Sequence, residues 1–282
     1  MGPDGGLDVR IYGRHPDSVT DPVPLVLHFH AGAFVAGSLS QGACVAGLLA
    51  DAGAVVVSVD YPLAPAHPFP QAVETAYAAL AWAWKARNKL AGRSVRLFVA
   101  GEEAGGNLAA ALALVARDRD SPRLAGQLLL SPMLDACMAT ASLRDVHAGP
   151  VGCTWADGWH QYLPRQEDAG HPYATPGTAL RLAGLPPTLL LTSRDDPLRD
   201  ETLAYAARLR AAGLEVREVV LPFETGWPGS YLKSGRATTD WTTVVRRQFS
   251  DFFSSAATAL PDRQLALAGP QRPWPMVDRD CP

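Results

Sequence analysis

The sequence predicts an α/β fold in which a mainly parallel β-sheet is flanked by helices. Short apolar segments alternate with longer helical patterns along most of the chain. The apolar segments are continuous, which is typical of parallel strands that are covered on both faces. The predicted strands are Leu7–Tyr12, Leu25–His30, Ala54–Val59, Val95–Ala100, Gln127–Leu130, Thr188–Thr192 and Val216–Leu221.

Helical patterns lie between these strands. Apolar residues recur three or four positions apart in several segments, as expected of amphipathic helices that cover a sheet. An Ala/Leu-rich helix is predicted to begin near Ala104. The apolar faces of two other helices consist of Val73, Tyr77, Leu80 and Trp84, and of Leu203, Ala206 and Leu209.

The length of the chain fits one α/β domain with a sizeable core. The chain has 282 residues, of which 48% are hydrophobic. We predict one domain over residues 1–260, with an aromatic-containing lid segment at about residues 132–168. Residues 261–282 are rich in Pro and Arg, and they are predicted to be an irregular tail.

Composition argues against several classes of protein. The net charge is −3, and no basic stripe points to nucleic acid or to an anionic membrane surface. No apolar run is long enough to span a bilayer, and the first residues lack the pattern of a signal peptide, so a cytoplasmic location is expected. The four cysteines lack metal-site spacing. We predict no metal and no cofactor.

The most informative segment follows the fourth predicted strand. Residues 101–108 read Gly-Glu-Glu-Ala-Gly-Gly-Asn-Leu. The pattern G-x-S-x-G marks a sharp strand-to-helix turn that holds a nucleophilic serine above a sheet. Gly101 and Gly105 supply the small residues of this turn, but Glu103 stands where the serine would be. The sequence therefore predicts the turn without its hydroxyl nucleophile.

Further motifs accompany this turn in a defined chain order. They are His30–Phe34, Asp60–Pro65 with His67–Pro70, His171–Pro176, Leu185–Thr188 and Asp196–Glu201. Together with the turn, they resemble the hormone-sensitive-lipase-like branch of the α/β-hydrolase esterases. The resemblance extends from about Leu7 to Phe253 and implies an α/β-hydrolase fold. The family's helical N-terminal cap is reduced here, which implies a site that is more open or is covered by a partner chain.

The resemblance implies a degenerate catalytic triad. Asp196 matches the family's catalytic acid, and the loop after Val216–Leu221 should carry the histidine base. The histidine position falls on about Gly226, and no histidine follows His171 in the sequence. With Glu103 in place of the serine, two of the three triad members are absent. Asp196 is then either a residue without its partner or a second acid/base.

Three roles remain open for Glu103. The backbone N–H groups of Gly32, Ala33 and Ala104 are expected to form an oxyanion-type pocket beside it. The carboxylate could occupy this pocket with a lowered pKa and plug the site. It could act as a general acid or base, as a buried carboxylate with a pKa near neutrality does. It could also be a covalent nucleophile, but that route normally needs a histidine to activate water.

Aromatic residues are expected around this pocket. Each of them has packing as the simpler interpretation, but as a group they suit an apolar ligand. His30 is expected mainly to hold the oxyanion loop. The candidate ligand-binding residues are His30, Phe34, Trp155, Trp159, Tyr162, Trp227 and Tyr231.

The site leads to one functional hypothesis and two alternatives. The first is a non-hydrolytic enzyme of specialised bacterial metabolism that cyclises, dehydrates or isomerises an apolar small molecule, with Glu103 as acid/base. Dehydratases and cyclases are known on this family's fold, so the resemblance is compatible with this hypothesis. The alternatives are a catalytically inactive small-molecule receptor and a weak residual carboxylesterase. The expected partner is an apolar small molecule, with a homodimer as an open alternative and no nucleic acid or membrane.

Overall fold

A computed structural model describes residues 6–13, 22–145, 149–232 and 240–258 of the chain. The predicted tail, residues 261–282, lies outside the described residues. The described residues include a seven-stranded sheet and the helices around it.

A seven-stranded twisted sheet forms the centre of the domain. Its strand order is β1-β3-β2-β4-β5-β6-β7, in which β1 pairs antiparallel with β3 and all the other pairs are parallel. The predicted α/β class with a mainly parallel sheet is therefore confirmed. The strands are β1 Val9–Tyr12, β2 Val23–Phe29, β3 Val55–Val59, β4 Val95–Glu102, β5 Gly126–Leu130, β6 Thr188–Ser193 and β7 Val216–Leu221.

Helices cover both faces of this sheet. Two short 3₁₀ helices of the described residues, Gln166–Gly170 and Pro176–Thr178, lie between α5 and β6. The α-helices are α1 Ala43–Asp51, α2 Gln71–Ala91, α3 Ala104–Asp118, α4 Ala141–Arg144, α5 Gly149–Tyr162, α6 Arg199–Ala211 and α7 Asp240–Thr258. The predicted lid segment thus contains α4 and α5.

Two apolar cores lie on the two faces of the sheet. Helices α2, α3, α5 and α6 pack on one face, and α1 and α7 pack on the other. Helix α3 is buried along nearly its whole length, since every residue from Ala104 to Ala116 is in the interior. Its small side chains allow this close approach, and its first residue is thereby fixed at the carboxyl end of β4.

The helical faces differ in detail from the pattern predicted. Val73 and Leu80 are buried in α2, but Tyr77 and Trp84 are only half-buried. The buried face of α2 is made largely of alanines, which let the helix lie close to the sheet. The larger aromatic side chains therefore lie at the edge of the contact.

Candidate active site

Glu103 lies at a sharp turn between β4 and α3. It adopts φ 54° and ψ −117°, a conformation that non-glycine residues rarely occupy and that typically costs about 1–3 kcal/mol. A Cβ atom at Gly105 would lie 2.0 Å from the carbonyl oxygen of Phe29, and one at Gly101 would lie 2.2 Å from the carbonyl oxygen of Gly105. The two glycines are therefore required for the turn that presents Glu103.

The carboxylate of Glu103 is buried and hydrogen-bonded. The N–H of Ala33 donates to Oε1 at 2.7 Å. The side chain of Trp155 and the N–H of Gly32 also act on the carboxylate. The indole N–H is the only polar group that Trp155 can offer. Only 2% of Glu103 is exposed to solvent. The carboxylate therefore binds the Ala33 donor of the expected oxyanion-type pocket.

The pKa of Glu103 is raised, although these donors act in the opposite direction. Burial raises the pKa of Glu103 to about 7, the nearby charge of Glu102 adds to this, and the hydrogen bonds from Ala33, Trp155 and Gly32 partly offset it. The carboxylate therefore lies in the expected pocket as a plug would, but its pKa is raised and not lowered. The donors are occupied, but desolvation outweighs their effect on the carboxylate.

The oxyanion loop is held in an unusual backbone conformation. Ala33 and Phe34 have φ values of 51° and 67°, and Gly32 has a φ of 137°. The hydroxyl of Tyr61 donates to the carbonyl oxygen of His30 at 2.8 Å, and the two rings are stacked 4.4 Å apart. These contacts, with the positive φ angles, turn the N–H of Ala33 towards Glu103.

His30 holds this loop from within the protein. Its Nδ1 lies 2.7 Å from the carbonyl oxygen of Ala31, and burial lowers the pKa of His30. Its Nε2 has no hydrogen-bond partner among the described residues. Ala104, the third predicted donor, is buried as the first residue of α3 and follows Glu103 directly.

A second carboxylate, Glu102, supports the loop from the opposite side. Its Oε2 lies 2.8 Å from Nε2 of His28, whose Nδ1 lies 3.0 Å from the hydroxyl of Ser58. The N–H of Ala31 donates to Glu102 Oε1 at 3.3 Å. All three side chains are buried. The chain Ser58–His28–Glu102 therefore holds one residue of the oxyanion loop, which sequence reasoning did not identify because it joins three separate strands.

Asp196 follows β6 and is engaged by neighbouring donors. It accepts hydrogen bonds from the hydroxyls of Ser131 and Thr192, the latter at 2.6 Å, and from the N–H of Leu198 at 2.9 Å. Burial raises the pKa of Asp196, and these donors act against the rise. Two hydroxyls and one N–H therefore surround the predicted catalytic acid in the described part of the chain.

In the loop after β7, Gly226 is exposed to solvent and Thr225 is buried. Gly226 is exposed, with a φ of 67°, and its N–H donates to Asp195 at 2.9 Å. Thr225 is buried, and its hydroxyl lies 2.8 Å from that of Ser193. Sequence reasoning put the missing histidine at about Gly226, but a side chain there would be strained and directed away from the interior. Thr225 is a buried residue of this loop, and it hydrogen-bonds to Ser193 and to Asp195, which precedes Asp196 in the chain.

Asp195 anchors this loop. Partial burial raises its pKa, but the N–H groups of Thr225 and Gly226 and the hydroxyl of Ser193 outweigh this effect and lower the pKa of Asp195 below its ordinary value. The carboxylate therefore stays charged and fixes the loop that would otherwise carry a base.

The predicted aromatic residues fall into two groups. Phe34 stacks on Tyr162 with ring centroids 4.0 Å apart, and Trp159 lies 4.8 Å from Phe34. Trp227 instead packs on Tyr231, at 5.7 Å, in the core on the other face of the sheet. The first group joins Trp155 in covering the oxyanion loop.

The lid helix lies directly on that loop. A Cβ atom at Gly158 in α5 would be 2.2 Å from the carbonyl oxygen of Ala33. Phe34, Trp155, Trp159 and Tyr162 are all nearly inaccessible to solvent. The expectation of a more open site is therefore wrong for the described residues, because α5 and its aromatic side chains close over Glu103.

Glu201 is a further buried carboxylate that sequence reasoning missed. Burial raises its pKa to about 8, although it accepts hydrogen bonds from the N–H groups of Leu134 and Asp135. These residues begin the lid segment, so the first turn of α6 holds the base of the lid. The sequence does contain a signal for it, since Glu201 is an acidic residue on the apolar side of a predicted helix.

A cavity of about 520 Å³ lies at the amino ends of the parallel strands, at the end of the sheet opposite Glu103. It is bordered by the residues that precede β5, β6 and β7 and by the end of α7. Arg117, Arg123 and Glu215 line it together with apolar residues, and none of the predicted site residues does. In α/β sheets ligands bind at the carboxyl ends of the strands, where Glu103 and Asp196 lie. We therefore place the candidate site there.

The described residues contain no cluster of three or more His, Cys, Asp or Glu side chains arranged to hold a metal ion. None of their helices combines the length and the apolar character that crossing a membrane requires.

Sequence relatives of this chain include esterases and a receptor. The carboxylesterase NlhH of Mycobacterium tuberculosis is 36% identical over 229 residues, which cover 77% of this chain and 70% of that protein. The gibberellin receptor GID1A of Arabidopsis thaliana is 34% identical over 226 residues, which cover 75% of this chain and 64% of the receptor. Similarity to these relatives therefore does not by itself distinguish hydrolysis from ligand binding.

Solved structures show the same architecture. A hyperthermophilic esterase from the archaeon Pyrobaculum calidifontis has a TM-score of 0.77 and 34% identity, over 92% of this chain and 84% of that chain. A bacterial heroin esterase has a TM-score of 0.75 and 30% identity, over 91% and 86% of the two chains. The family model described as alpha/beta hydrolase fold matches residues 26–225. The chain therefore belongs to the α/β-hydrolase fold family.

Proposed function

We propose that this protein is a non-hydrolytic enzyme of the α/β-hydrolase family in which Glu103 acts as a general acid/base. Its substrate would be an apolar small molecule, and the reaction a cyclisation, dehydration or isomerisation. We assign it to specialised metabolism in the bacterial cytoplasm. The apolar substrate is supported by the aromatic side chains that close over the oxyanion loop.

The observation that carries this proposal is the environment of Glu103. A carboxyl group with a pKa of about 7 has both its protonated and its ionised forms populated at neutral pH. Such a group can take up a proton and return it within one catalytic cycle. The unusual backbone of the turn directs this group at the end of the sheet where the family's chemistry takes place. A carboxylate with a purely structural role would not require that turn.

Hydrolysis by a triad has little support from the same residues. No histidine follows His171, so the loop after β7 has no imidazole to activate water. Asp196 is held by Ser131, Thr192 and Leu198, which favours a role in positioning the adjacent loops over direct proton transfer. Glu103 is therefore the proposed catalytic residue, and Asp196 a supporting carboxylate.

The test compares two carboxyl-to-amide variants. Purified wild type, Glu103→Gln and Glu224→Gln are each incubated with a metabolite extract of the source organism, and products are followed by mass spectrometry. Glu224 is an exposed carboxylate and serves as the control. The wild type and Glu224→Gln should convert the same compound, and Glu103→Gln should convert it about a hundredfold more slowly or less. Conversion by Glu103→Gln at the wild-type rate would refute the acid/base role.

A second candidate is a small-molecule-binding protein without chemistry. The observation that favours it is that Glu103 already accepts the N–H of Ala33, so this donor is occupied before a ligand binds. A relative named as a gibberellin receptor makes this alternative concrete. It would be supported if the wild type retained one compound of the extract on dialysis and left it chemically unchanged.

A further inference from the structure

Tyr231 has a buried hydroxyl group without a hydrogen-bond partner. The residue is 1% exposed, and its hydroxyl contacts no donor or acceptor in the described part of the chain. Leaving a buried hydroxyl unpaired typically costs about 1–3 kcal/mol. An unpaired group of this kind in a native structure calls for an explanation, and a missing ligand is one such explanation.

The position of Tyr231 links this hydroxyl to the candidate site. Tyr231 lies in the loop after β7, and Glu103 and Asp196 follow β4 and β6. All three residues are therefore at the carboxyl ends of the parallel strands. The charges that act on its phenol are those of Glu103, Asp196 and Glu102, in decreasing order. The phenol is therefore on the loop where the family carries its base, at the end of the sheet where these carboxylates lie.

Local packing fixes the orientation of the ring. Trp227 packs against Tyr231 with ring centroids 5.7 Å apart, and Trp241 lies against Trp227. Backbone hydrogen bonds from Ser230 to Gly226 and from Leu232 to Pro228 form a helical turn around Tyr231. The hydroxyl is thus held in place rather than free to reach a distant partner.

The neighbouring carboxylates already have other partners. Glu103 accepts the N–H of Ala33, and Asp196 accepts two hydroxyls and one N–H. Neither carboxylate accepts the phenol of Tyr231. Among the described residues, the hydroxyl of Tyr231 is therefore available to donate to a bound small molecule.

We propose that Tyr231 donates a hydrogen bond to a neutral oxygen atom, a carbonyl or a hydroxyl, of the ligand bound beside Glu103. This inference rests on the proposed function and narrows its substrate to an oxygen-bearing, uncharged apolar molecule. A ligand carboxylate is disfavoured, because the charges of Glu102 and Glu103 would repel it.

The chemistry of the two residues is complementary. Burial raises the pKa of Tyr231 well above its ordinary value, with the charge of Glu103 acting in the same direction, so the phenol stays protonated and acts as a donor. In an isomerisation, Glu103 would take a proton from the carbon next to a carbonyl, and the electron pair would move onto the carbonyl oxygen. Tyr231 would stabilise that oxygen by its hydrogen bond. Glu103 would then return the same proton to another carbon, so that no cofactor is consumed.

Tyr205 provides a matched control. Its hydroxyl is also buried and without a partner in the described residues, but it lies on α6 and the charges acting on it are those of Arg208 and Arg117. Tyr231→Phe and Tyr205→Phe therefore remove the same group from two comparable environments. Only Tyr231 is proposed to contact the ligand.

The experiment measures dissociation constants of two neutral probes, acetophenone and ethylbenzene, by ligand-observed NMR. They have similar size, but only the ketone accepts a hydrogen bond. Tyr231→Phe should weaken binding of acetophenone relative to ethylbenzene. The ratio of the acetophenone constant to the ethylbenzene constant should rise by about five- to tenfold, which is the contribution of one net hydrogen bond. Tyr205→Phe should leave the ratio within about twofold of the wild type.

Each outcome bears on the inference. An unchanged ratio in Tyr231→Phe, an equal change in both variants, or failure of the wild type to bind either probe would overturn it. Because the probes undergo no reaction, the result is independent of the turnover test on Glu103→Gln. If Tyr231→Phe weakens ketone binding selectively but Glu103→Gln turns over normally, this inference stands and the proposed catalysis is refuted. If Tyr231→Phe leaves the ratio of the constants unchanged but Glu103→Gln loses turnover, the catalysis stands and the role of Tyr231 is refuted.

Discussion

The backbone N–H of Ala33 donates a 2.7 Å hydrogen bond to the carboxylate of Glu103. Both residues have positive φ angles, 51° and 54°, so two rarely adopted backbone conformations meet in one contact. The bond joins the oxyanion loop to the turn before α3. In a serine hydrolase such donors are free to bind the oxygen of a substrate. In this protein the side chain of Glu103 accepts the N–H of Ala33 instead.

Glu103→Gln should remove a pH-dependent loss of stability. The pKa of Glu103 is raised from an ordinary 4.5 to about 7, so between these values the folded state binds more protons than the unfolded state. Stability should therefore fall as the pH rises through this window, by about 3 kcal/mol at most. Urea denaturation at pH 4.5 and 8 should show this loss in the wild type, and a correspondingly smaller one in Glu103→Gln.

A second buried carboxylate serves as the comparison. Burial raises the pKa of Glu201 to about 8, so its contribution has the same sign and extends to higher pH. Glu201→Gln should remove the contribution of Glu201 over the whole range from pH 4.5 to about 8 and leave the part due to Glu103. The loss between pH 7 and 8 should therefore decrease in Glu201→Gln and persist in Glu103→Gln. Identical pH profiles for the wild type and both variants would contradict the assignment.

Gly158→Ala should separate the lid helix from the oxyanion loop. The added Cβ would lie 2.2 Å from the carbonyl oxygen of Ala33 and 2.8 Å from its Cβ, and these are not the far ends of flexible side chains. Overpacking of this kind typically costs about 1–3 kcal/mol. The expected result is a lower denaturation midpoint together with a changed environment of Trp155, observed by tryptophan fluorescence.

Gly152→Ala is the control in the same helix. A Cβ atom at Gly152 would meet nothing within 4 Å, so the change should only favour the helix, by about 0.5–1 kcal/mol. The two substitutions should therefore have opposite signs. If both raised the midpoint, α5 would not lie on the loop as described.

The sequence was sufficient to predict the sheet and the turn at Glu103. Continuous apolar segments located all seven strands, and Gly101 and Gly105 located the strand-to-helix turn, because these features depend on local residue pattern. The antiparallel pairing of β1 with β3 did not follow from the pattern. Strand direction depends on how the chain crosses the sheet, which a local pattern does not encode.

The closure of the site was not predictable in the same way. Whether Trp155 packs, binds a ligand or donates to Glu103 depends on the position of α5, which is set by contacts such as Gly158 on Ala33. The placement of Thr225 and Gly226 likewise depends on Asp195, which binds both of their N–H groups. Relationships of this kind join residues that are far apart in the sequence.

His28→Phe should destabilise the protein more than Glu102→Gln. Removing the imidazole leaves the buried Glu102 without the partner that lies 2.8 Å from it, at a cost of about 3 kcal/mol. Glutamine at position 102 can still accept from the N–H of Ala31 and hydrogen-bond to His28, so a loss of about 1 kcal/mol is expected. Equal losses in chemical denaturation would show that the pair contributes only packing.

The wild type should not hydrolyse simple aryl esters, and Glu103→Ser alone should not make it an esterase. A serine at the turn would free the N–H of Ala33 for an oxyanion, but no imidazole would be present to take the serine proton. Members of a triad act as a unit, so one restored member contributes little. Initial rates with p-nitrophenyl acetate should stay near the background for both proteins. Saturable wild-type activity abolished by a serine-directed phosphonate would instead reveal a nucleophile elsewhere.

Glu103→Ser combined with Thr225→His is the double variant that should gain activity. Thr225 is buried and hydrogen-bonds to Ser193 and Asp195, and Asp195 directly precedes Asp196 in the chain. Gly226, in contrast, is exposed and has a φ of 67°. A histidine at position 226 would be strained and directed towards solvent, so Glu103→Ser with Gly226→His is the matched control. We expect burst kinetics with p-nitrophenyl acetate from the first double variant and background rates from the control. Equal rates for the two would mean that the loop after β7 cannot present a base to the turn from either position, and that more than two substitutions separate this site from a hydrolase.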